Sequence, residues 1–309
     1  MKILITGANG FVGNHLTRAL VSSGHSVVLT GTESSELHQN YPYMQADLTN
    51  KEDVGKIDFS EINGVVHLAG LAAVGPSFDN PQLYLDVNMG AELNLLEEII
   101  SQKASPRFLV VSSGMLYDPN AGLPLSERSS VKPNSPYAVS KLGQEQLAQY
   151  YTSRGLECII ARPFNHIGPG QNEGFIVPDL AKQIIEGECG LRDAVMVGNL
   201  HAKRDYTDVR DIVRAYELLL LKGRPGEVYN ICSGHPVEGV AILNGLLSLS
   251  KREMIVEHDP TRMRPSDTPE IYGSYSKLTQ DTGWEPTIPL SDTLRDVLDD
   301  WRKRIKKEA

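Results

Sequence analysis

The stretch NSPYAVSK at residues 134–141 sets a phenol and an ammonium, Tyr137 and Lys141, four residues apart. In a helix that spacing places both on one face, one turn from each other. A tyrosine alone is a poor proton shuttle, because its ordinary pKa of about 10 is far above neutrality. A fixed ammonium nearby favours the phenolate and is expected to lower that value. The same lysine can hydrogen-bond a cofactor ribose. Tyr-x-x-x-Lys also occurs on plain solvent-facing helices, so the pair needs companions. VVSSGMLYD (110–118) provides Ser112 and Ser113 at the end of an apolar run, where a hydroxyl could hold a substrate oxygen.

A second motif lies at the start of the chain. TGANGFVG (6–13) places Gly7, Gly10 and Gly13 after the first apolar run and at the mouth of a helical pattern. Glycines there allow a tight turn, close approach of backbone to a pyrophosphate, and tight helix–strand packing, with free helix N–H groups facing the phosphates. The spacing is G-x-x-G-x-x-G, looser than the common dinucleotide fingerprint. An acidic reader of the adenosine ribose would lie near LTGTES (29–34), which holds only Glu33, slightly late. NADP(H) is therefore favoured and NAD(H) possible, although no arginine stands there for a 2′-phosphate. Asp47 in QADLT (45–49) either reaches the adenine edge or caps a helix N-terminus.

Those residues need a frame. KILIT (2–6), SVVLT (26–30), VVHLA (65–69), RFLVVSS (107–113) and CIIAR (158–162) are continuously apolar, as strands buried on both faces should be. Helical spacing fills 11–22, 82–102 and 136–153. This strand–helix alternation predicts a Rossmann-type α/β fold, a doubly wound parallel sheet. Residues 164–174 read as a loop. Helices are expected over about 176–187 and 208–221, and strands near AVMVG and EVYNIC (227–232). The division expected is a dinucleotide-binding domain over 1–165, with segments near 203–232 returning to it. Residues 166–309 would form a smaller mixed α/β substrate lobe, not cleanly separable.

The chain has 309 residues and a formal net charge of −9, with a basic run only in the tail WRKRIKKEA, so nucleic acid is not an expected partner. No apolar stretch approaches a membrane span, and MKILITG enters a strand without the pattern of a signal peptide. Cys158, Cys189 and Cys232 have no paired spacing. A cytoplasmic enzyme with reduced cysteines is expected, and no metal site.

With these motifs in order, TGANGFVG, HLAG (67–70), SSGMLY (112–117) and YAVSK (137–141), the chain resembles the extended short-chain dehydrogenase/reductases that act on nucleotide sugars. The resemblance implies Ser113, Tyr137 and Lys141 as the catalytic triad. It implies cofactor contacts from Gly7, Gly10, Phe11, Val12, Gly13, Asp47, Leu48, Leu68, Ala69, Asn88, Tyr137 and Lys141, with Asn88 ordering the strand-end loops. It also implies a homodimer paired through the helices at 82–102 and 136–153, whose Leu93, Leu96, Leu142 and Leu147 would serve the interface.

Within the resembling family, 4,6-dehydratases carry an acid two residues past the catalytic Ser/Thr. Here Met115 stands in that place, so dehydration is not expected. The Cys/His pair of the 3,5-epimerase-reductases is not matched by Cys158 or Cys189. ARPFNHIGPGQ (161–171), KRDYTDVRD (203–211) and RPSDTPEIYGSYSKLTQDTGW (264–284) are similar to the branch that reduces a GDP-linked 4-keto-6-deoxy-mannose at C4 to GDP-rhamnose. That likeness implies Ser113 at the sugar, Asn165 at the sugar–diphosphate, Lys182 at the nucleotide, Arg204 and Arg264 at the diphosphate, and Asp267 at a ribose hydroxyl. A nucleotide-sugar 4-epimerase that retains NAD is the rival enzyme, and a non-catalytic NADP sensor on the same fold the rival of another class.

Overall fold

A computed structural model of the chain describes residues 1–33, 39–262 and 268–308. The apolar runs become strands of one seven-stranded sheet: β1 (Lys2–Thr6), β2 (Ser26–Gly31), β3 (Tyr43–Gln45), β4 (Gly64–His67), β5 (Arg107–Val111), β6 (Glu157–Pro163) and β10 (Val228–Ile231). Their order is β10-β6-β5-β4-β1-β2-β3, and neighbouring strands are parallel throughout. The chain reverses its direction of travel between β1 and β4, the place where an open parallel sheet leaves a crevice at its strand C-termini.

Both faces of this sheet are covered, which explains the unbroken apolar runs. Ile3, Ile5 and Leu29 pack with Leu16 and Leu20 of α1 (Phe11–Ser22) and with Ile212, Tyr216 and Leu219 of α7 (Val209–Lys222). On the other face Leu4, Val65, Phe108 and Val110 meet Leu95, Leu96 and Ile99 of α4 (Pro81–Ser101) and Ala148 and Tyr151 of α5 (Pro136–Ser153). Each such side chain contributes about 1.5–3 kcal/mol on burial, so the sheet fixes its C-terminal edge firmly. The fold is the Rossmann-type doubly wound sheet that the alternation implied.

The rest of the chain builds a smaller unit. β9 (Lys203–Asp208) is flanked by β11 (Pro236–Glu238), antiparallel, and by β13 (Glu270–Ile271) and β7 (Asn165–Ile167), both parallel. β8 (Ala194–Val197) pairs with β12 (Ile255–His258). Helices α6 (Ile176–Glu188), α8 (Gly239–Ser248) and α10 (Leu290–Glu308) enclose a core with Val177, Ile184, Leu246, Leu298 and Trp301. α9 (Ser276–Thr282) instead sends Leu278 to the large sheet's core.

Three local readings change. The segment expected as a loop over 164–174 contains β7; three residues are too few to show a strand period, and the pairing partner lies some forty residues on. Asp47 caps no helix: it holds a turn by accepting from Thr49 N (2.9 Å) and Thr49 Oγ1 (2.7 Å), while Asn50 caps the short α2 (Lys51–Val54). Leu96 cannot serve an interface, because it is fully buried inside its own chain, and Leu147 packs against the same core; Leu93 is exposed and Leu142 half-buried.

Candidate active site

The glycine loop joins β1 to α1. Gly7 has φ 64°, and a Cβ there would lie 2.8 Å from Ala69 N and 2.9 Å from Ala69 Cα. At Gly13 a Cβ would lie 2.5 Å from Gly7 O and 2.7 Å from Ala8 Cα. The loop, the helix start and the end of β4 are thus packed backbone to backbone. Gly10 caps α1 without a side chain, and the first turn contains no acidic residue. These are the features that let a pyrophosphate approach a helix N-terminus. Phe11 stacks on His166 with ring centroids 6.3 Å apart, and His15 Nε2 meets Pro169 O at 2.7 Å, so the segment after β6 is pinned over the loop.

Thr6 ties the ends of β1 and β4 together. Its Oγ1 accepts from Leu68 N and Ala69 N, each at 3.1 Å, so its proton goes to His67 Nδ1 at 2.9 Å. Leu68 and Ala69 therefore line the glycine loop as backbone. Asn88 on α4 accepts from Leu71 N (2.7 Å) and donates to Leu71 O (3.2 Å) and to Ser140 Oγ (2.8 Å) on α5. It joins the loop after β4 to the helix that carries Tyr137. At the adenosine end, Asn9 Nδ2 donates to Glu33 O (2.9 Å) and Tyr43 OH (3.0 Å), beside Gly31; Leu48 is buried behind Asp47.

Ser135 caps α5 by accepting from Ala138 N at 3.2 Å, and Pro136 starts its first turn. Tyr137 and Lys141 follow on one face, both buried. Ser113, just past β5, starts a single 3-10 turn and accepts from Met115 N at 3.1 Å. Its hydroxyl stands near enough to the Tyr137 phenol to favour the ionised form of that group. Thus Ser113, Tyr137 and Lys141 come together at the C-terminal edge of the sheet.

The charge balance differs from the simple expectation. Burial pushes the Tyr137 phenol above its ordinary pKa, and it is Ser113, not Lys141, that opposes this. The reason is where the ammonium points: Lys141 Nζ donates to Val111 O and Gln144 Oε1, both at 2.9 Å. Burial lowers the lysine to about 8, with Glu92 and then Glu145 raising it.

The substrate-side residues are less concentrated. Asn165 in β7 stands opposite Tyr206 of β9. Arg204 of β9 donates through Nη1 to Lys203 O (2.8 Å) and Thr268 O (2.7 Å). Lys182 on α6 is ion-paired to Glu173 at 2.8 Å and Glu186 at 3.6 Å, and the hydrogen bond that it donates to Glu173 holds its pKa up. Arg264 and Asp267 lie outside the described residues. Cys158 is fully buried with its thiol pushed up to about 12 by burial, which suits packing rather than proton exchange.

Sequence reading missed a buried polar group beneath the site. Glu145 on α5 takes a two-pronged bond from Arg162 of β6 (Nε 2.7 Å, Nη2 2.6 Å) and a bond from Ser112 Oγ at 2.5 Å. The Arg162 guanidinium also lies 4.9 Å over the Tyr117 ring. Glu145 is eight residues past Tyr137 on the same helix, two turns along, so its inward direction was readable; its partner on β6 was not. Asp205 of β9 was also missed. It accepts from Ser233 N, Ser233 Oγ and Gly234 N at 2.7, 2.6 and 3.0 Å, binding the small sheet to the end of β10.

A family model described as GDP-mannose 4,6 dehydratase matches residues 4–297. The chain belongs to that family. It is a nucleotide-sugar branch of the extended short-chain dehydrogenase/reductases, a family of oxidoreductases, epimerases and dehydratases. The chain is 36% identical over 311 residues to the GDP-6-deoxy-D-mannose reductase of Pseudomonas aeruginosa, covering 99% of each. It is 27% identical to a UDP-glucose 4-epimerase of Pisum sativum, covering 96% of this chain and 94% of that one. Among solved structures, that of RMD from Pseudomonas aeruginosa complexed with NADPH superposes with a TM-score of 0.88 at 34% identity, covering 98% of this chain and 99% of that one. The Thermus thermophilus UDP-glucose 4-epimerase complex with NAD gives 0.86 at 28% identity, with 98% and 99% covered.

Proposed function

We propose that this enzyme reduces the C4 ketone of GDP-4-keto-6-deoxy-D-mannose to GDP-D-rhamnose with NADPH, NADH serving less well. The observation that carries the reading is the end of β5. Ser113 and Tyr137 are presented there together, both buried, and methionine occupies the position where the related dehydratases carry an acid. The full-length likeness to a GDP-6-deoxy-D-mannose reductase supports the choice of sugar and base.

The glycine cradle fits a dinucleotide, since at Gly7 and Gly13 a Cβ would fill the space the backbone needs. A bound reduced nicotinamide would supply the hydride to C4. The chain's residues supply the rest. Ser113 Oγ hydrogen-bonds the ketone oxygen and fixes which face is attacked. Tyr137, held protonated by burial, gives its proton to that oxygen as negative charge develops on it. Lys141, whose ammonium bonds Val111 O and Gln144, would turn from them to hold the ribose. Asn165 would meet the sugar–diphosphate, with Arg204 and Arg264 at the diphosphate and Asp267 at a ribose hydroxyl. The carbonyls of Lys203 and Thr268 hold the Arg204 guanidinium in place. Lys182 would have to exchange Glu173 for the nucleotide.

The working unit in this reading is a homodimer joined through α4 and α5. Leu83 and Leu93 of α4 and Val139 and Tyr150 of α5 are exposed at 51, 38, 47 and 56%. No helix among the described residues is long and apolar enough to cross a membrane. Three free cysteines suit a reducing cytoplasm. The function is tested by following NADPH loss after a GDP-mannose dehydratase generates the keto sugar. Stoichiometric oxidation supports reduction. Interconversion of two alcohols without net cofactor loss, which the 4-epimerase relatives make the natural rival, would replace it.

A further inference from the structure

The segment pinned over the glycine loop is held by helices from the two ends of the chain. Gly170 has φ 92°. A Cβ there would lie 3.8 Å from His15 Nε2, 3.9 Å from Phe11 Cδ2 and 3.9 Å from Arg304 Nη2. One residue thus sits between the start of α1 and the end of α10. The hydrogen bonds agree. On the α1 side His15 Nε2 meets Pro169 O at 2.7 Å, and Phe11 stacks on His166. On the α10 side Asp300 Oδ2 accepts from Gly170 N at 2.9 Å and pairs with Arg304 Nη2 at 2.7 Å. Arg304 Nη1 reaches Gln171 O at 3.3 Å and Asn172 Oδ1 at 3.4 Å.

Both helices are firm supports. α1 buries Leu16 and Leu20 against the large sheet. α10 buries Trp301 and Ile305 in the small unit's core, and the Arg304 guanidinium lies 4.8 Å over the Trp301 ring. α10 is also tied to the start of α7: Arg210 pairs with Asp296 at 2.7 Å, and Thr293 Oγ1 donates to Asp208 Oδ2 at 2.7 Å. Between these supports the chain runs through Gly168, Gly170 and Gly174. Its own backbone bond, Gln171 N to Gly168 O, is long at 3.4 Å. A segment so rich in glycine takes the position its supports give it.

We propose that Asp300, with Arg304 beside it, is a positioning residue for the dinucleotide: it holds residues 168–172 against the first turn of α1 and so slows release of the cofactor. The link runs through Phe11. This residue begins α1, whose free N–H groups form the phosphate cradle. Its ring contacts His15 and His166, with centroids 5.5 and 6.3 Å away. With the bond to Gly170 lost, the segment can lift from Phe11 and His15, and the first turn of α1 loses its cover. A carboxylate suits this task, because a charged acceptor binds a backbone N–H more strongly than a neutral one. Arg304, four residues on, compensates that charge and fixes its direction. The proposal rests on the reductase reading for its cofactor alone; no step at the sugar enters it.

The test measures cofactor binding with no keto sugar present. NADPH is titrated by fluorescence, and its release is followed by stopped-flow displacement. Asp300→Ala should raise Kd about five- to tenfold, with the change in the off-rate. Asp300→Asn keeps an acceptor for Gly170 N and should recover most of the loss. Arg304→Met keeps a stem on the Trp301 ring and should raise Kd about threefold. Arg295→Met is the control: it breaks a pair with Asp292 on the same helix and should leave Kd unchanged. A merely structural role would lower the urea midpoint of Asp300→Ala and leave Kd in place, and that result overturns the proposal. So does a Kd raised equally in Arg295→Met. Should Asp300→Ala fail to fold, Arg304→Met decides: faster release supports the proposal and unchanged release overturns it. If NADH is the cofactor bound, the same comparison with NADH decides in the same two ways. A parent enzyme that shows this pattern yet leaves the keto sugar unreduced would remove the reductase reading and uphold the role of Asp300.

Discussion

Replacing Gly7 by alanine separates the two demands that the glycine loop makes on its first residue. Gly7 sits at φ 64°, and a Cβ there meets backbone atoms of Ala69 and Leu68 at 2.8, 2.9 and 3.0 Å. No flexible side chain can swing away; the end of β4 itself must shift. The backbone conformation alone costs an L-residue about 1–2 kcal/mol, and overpacking adds about 1–3 kcal/mol. Gly24 is the natural control. It has φ 82°, yet nothing lies within 4 Å of an added Cβ. Gly24→Ala should therefore lose only the conformational part, and Gly7→Ala about 2–5 kcal/mol in all. Urea unfolding of both variants gives the difference. Because the strained loop is also the pyrophosphate cradle, NADPH titration by fluorescence should show Kd raised at least about tenfold in Gly7→Ala, or about 1.4 kcal/mol. It should be unchanged in Gly24→Ala. Equal losses in the two variants, with NADPH affinity preserved in both, would refute the close-packing argument.

Other outcomes follow from the same geometry. Tyr137→Phe removes the proton donor while leaving the ring packed against Tyr84, so turnover should fall about 10²–10⁴-fold with NADPH affinity little changed; activity within threefold would exclude Tyr137 as the acid. Glu145→Gln leaves Arg162 buried without its two-pronged partner and should cost about 3–5 kcal/mol in unfolding experiments; a loss below 1 kcal/mol would mean that the pair does not hold β6 to α5. Leu93→Glu together with Val139→Glu should yield monomers by light scattering at micromolar concentration, whereas an unchanged particle mass would move the dimer face elsewhere or show none.

What could be read from the sequence was what repeats locally. The unbroken apolar runs of β1, β2, β4, β5 and β6 announced strands covered on both sides, and Leu4 facing α4 while Ile3 and Ile5 face α1 and α7 shows why the runs do not alternate. The chemistry of Gly7, Gly13, Tyr137 and Lys141 was visible because each depends on a short spacing. Long-range pairing was not visible. β7 is a strand only because β9 lies beside it, and Asp205 matters only because Ser233 and Gly234 turn toward it. Nor could spacing foretell where the Lys141 ammonium points. The Val111 carbonyl and Gln144 draw it inward, so Ser113 rather than the lysine opposes the rise at Tyr137. Leu96 looked equivalent to Leu93 in the helical pattern, and the two lie only about 60° apart around the helix, yet Leu96 is fully buried while Leu93 is 38% exposed.

The central claim, one-way reduction at C4 of a GDP-linked keto sugar, is tested most directly by following the transferred hydrogen. NADPH deuterated at the transferring position of its nicotinamide is supplied with GDP-4-keto-6-deoxy-D-mannose, and the product is examined by NMR. The account expects deuterium at C4 of a GDP-linked 6-deoxy sugar, one per NADPH oxidised, with faster turnover than for the dTDP- or UDP-linked keto sugars. A sugar product without deuterium, or two C4 alcohols interconverting while NADPH is not consumed, would contradict it.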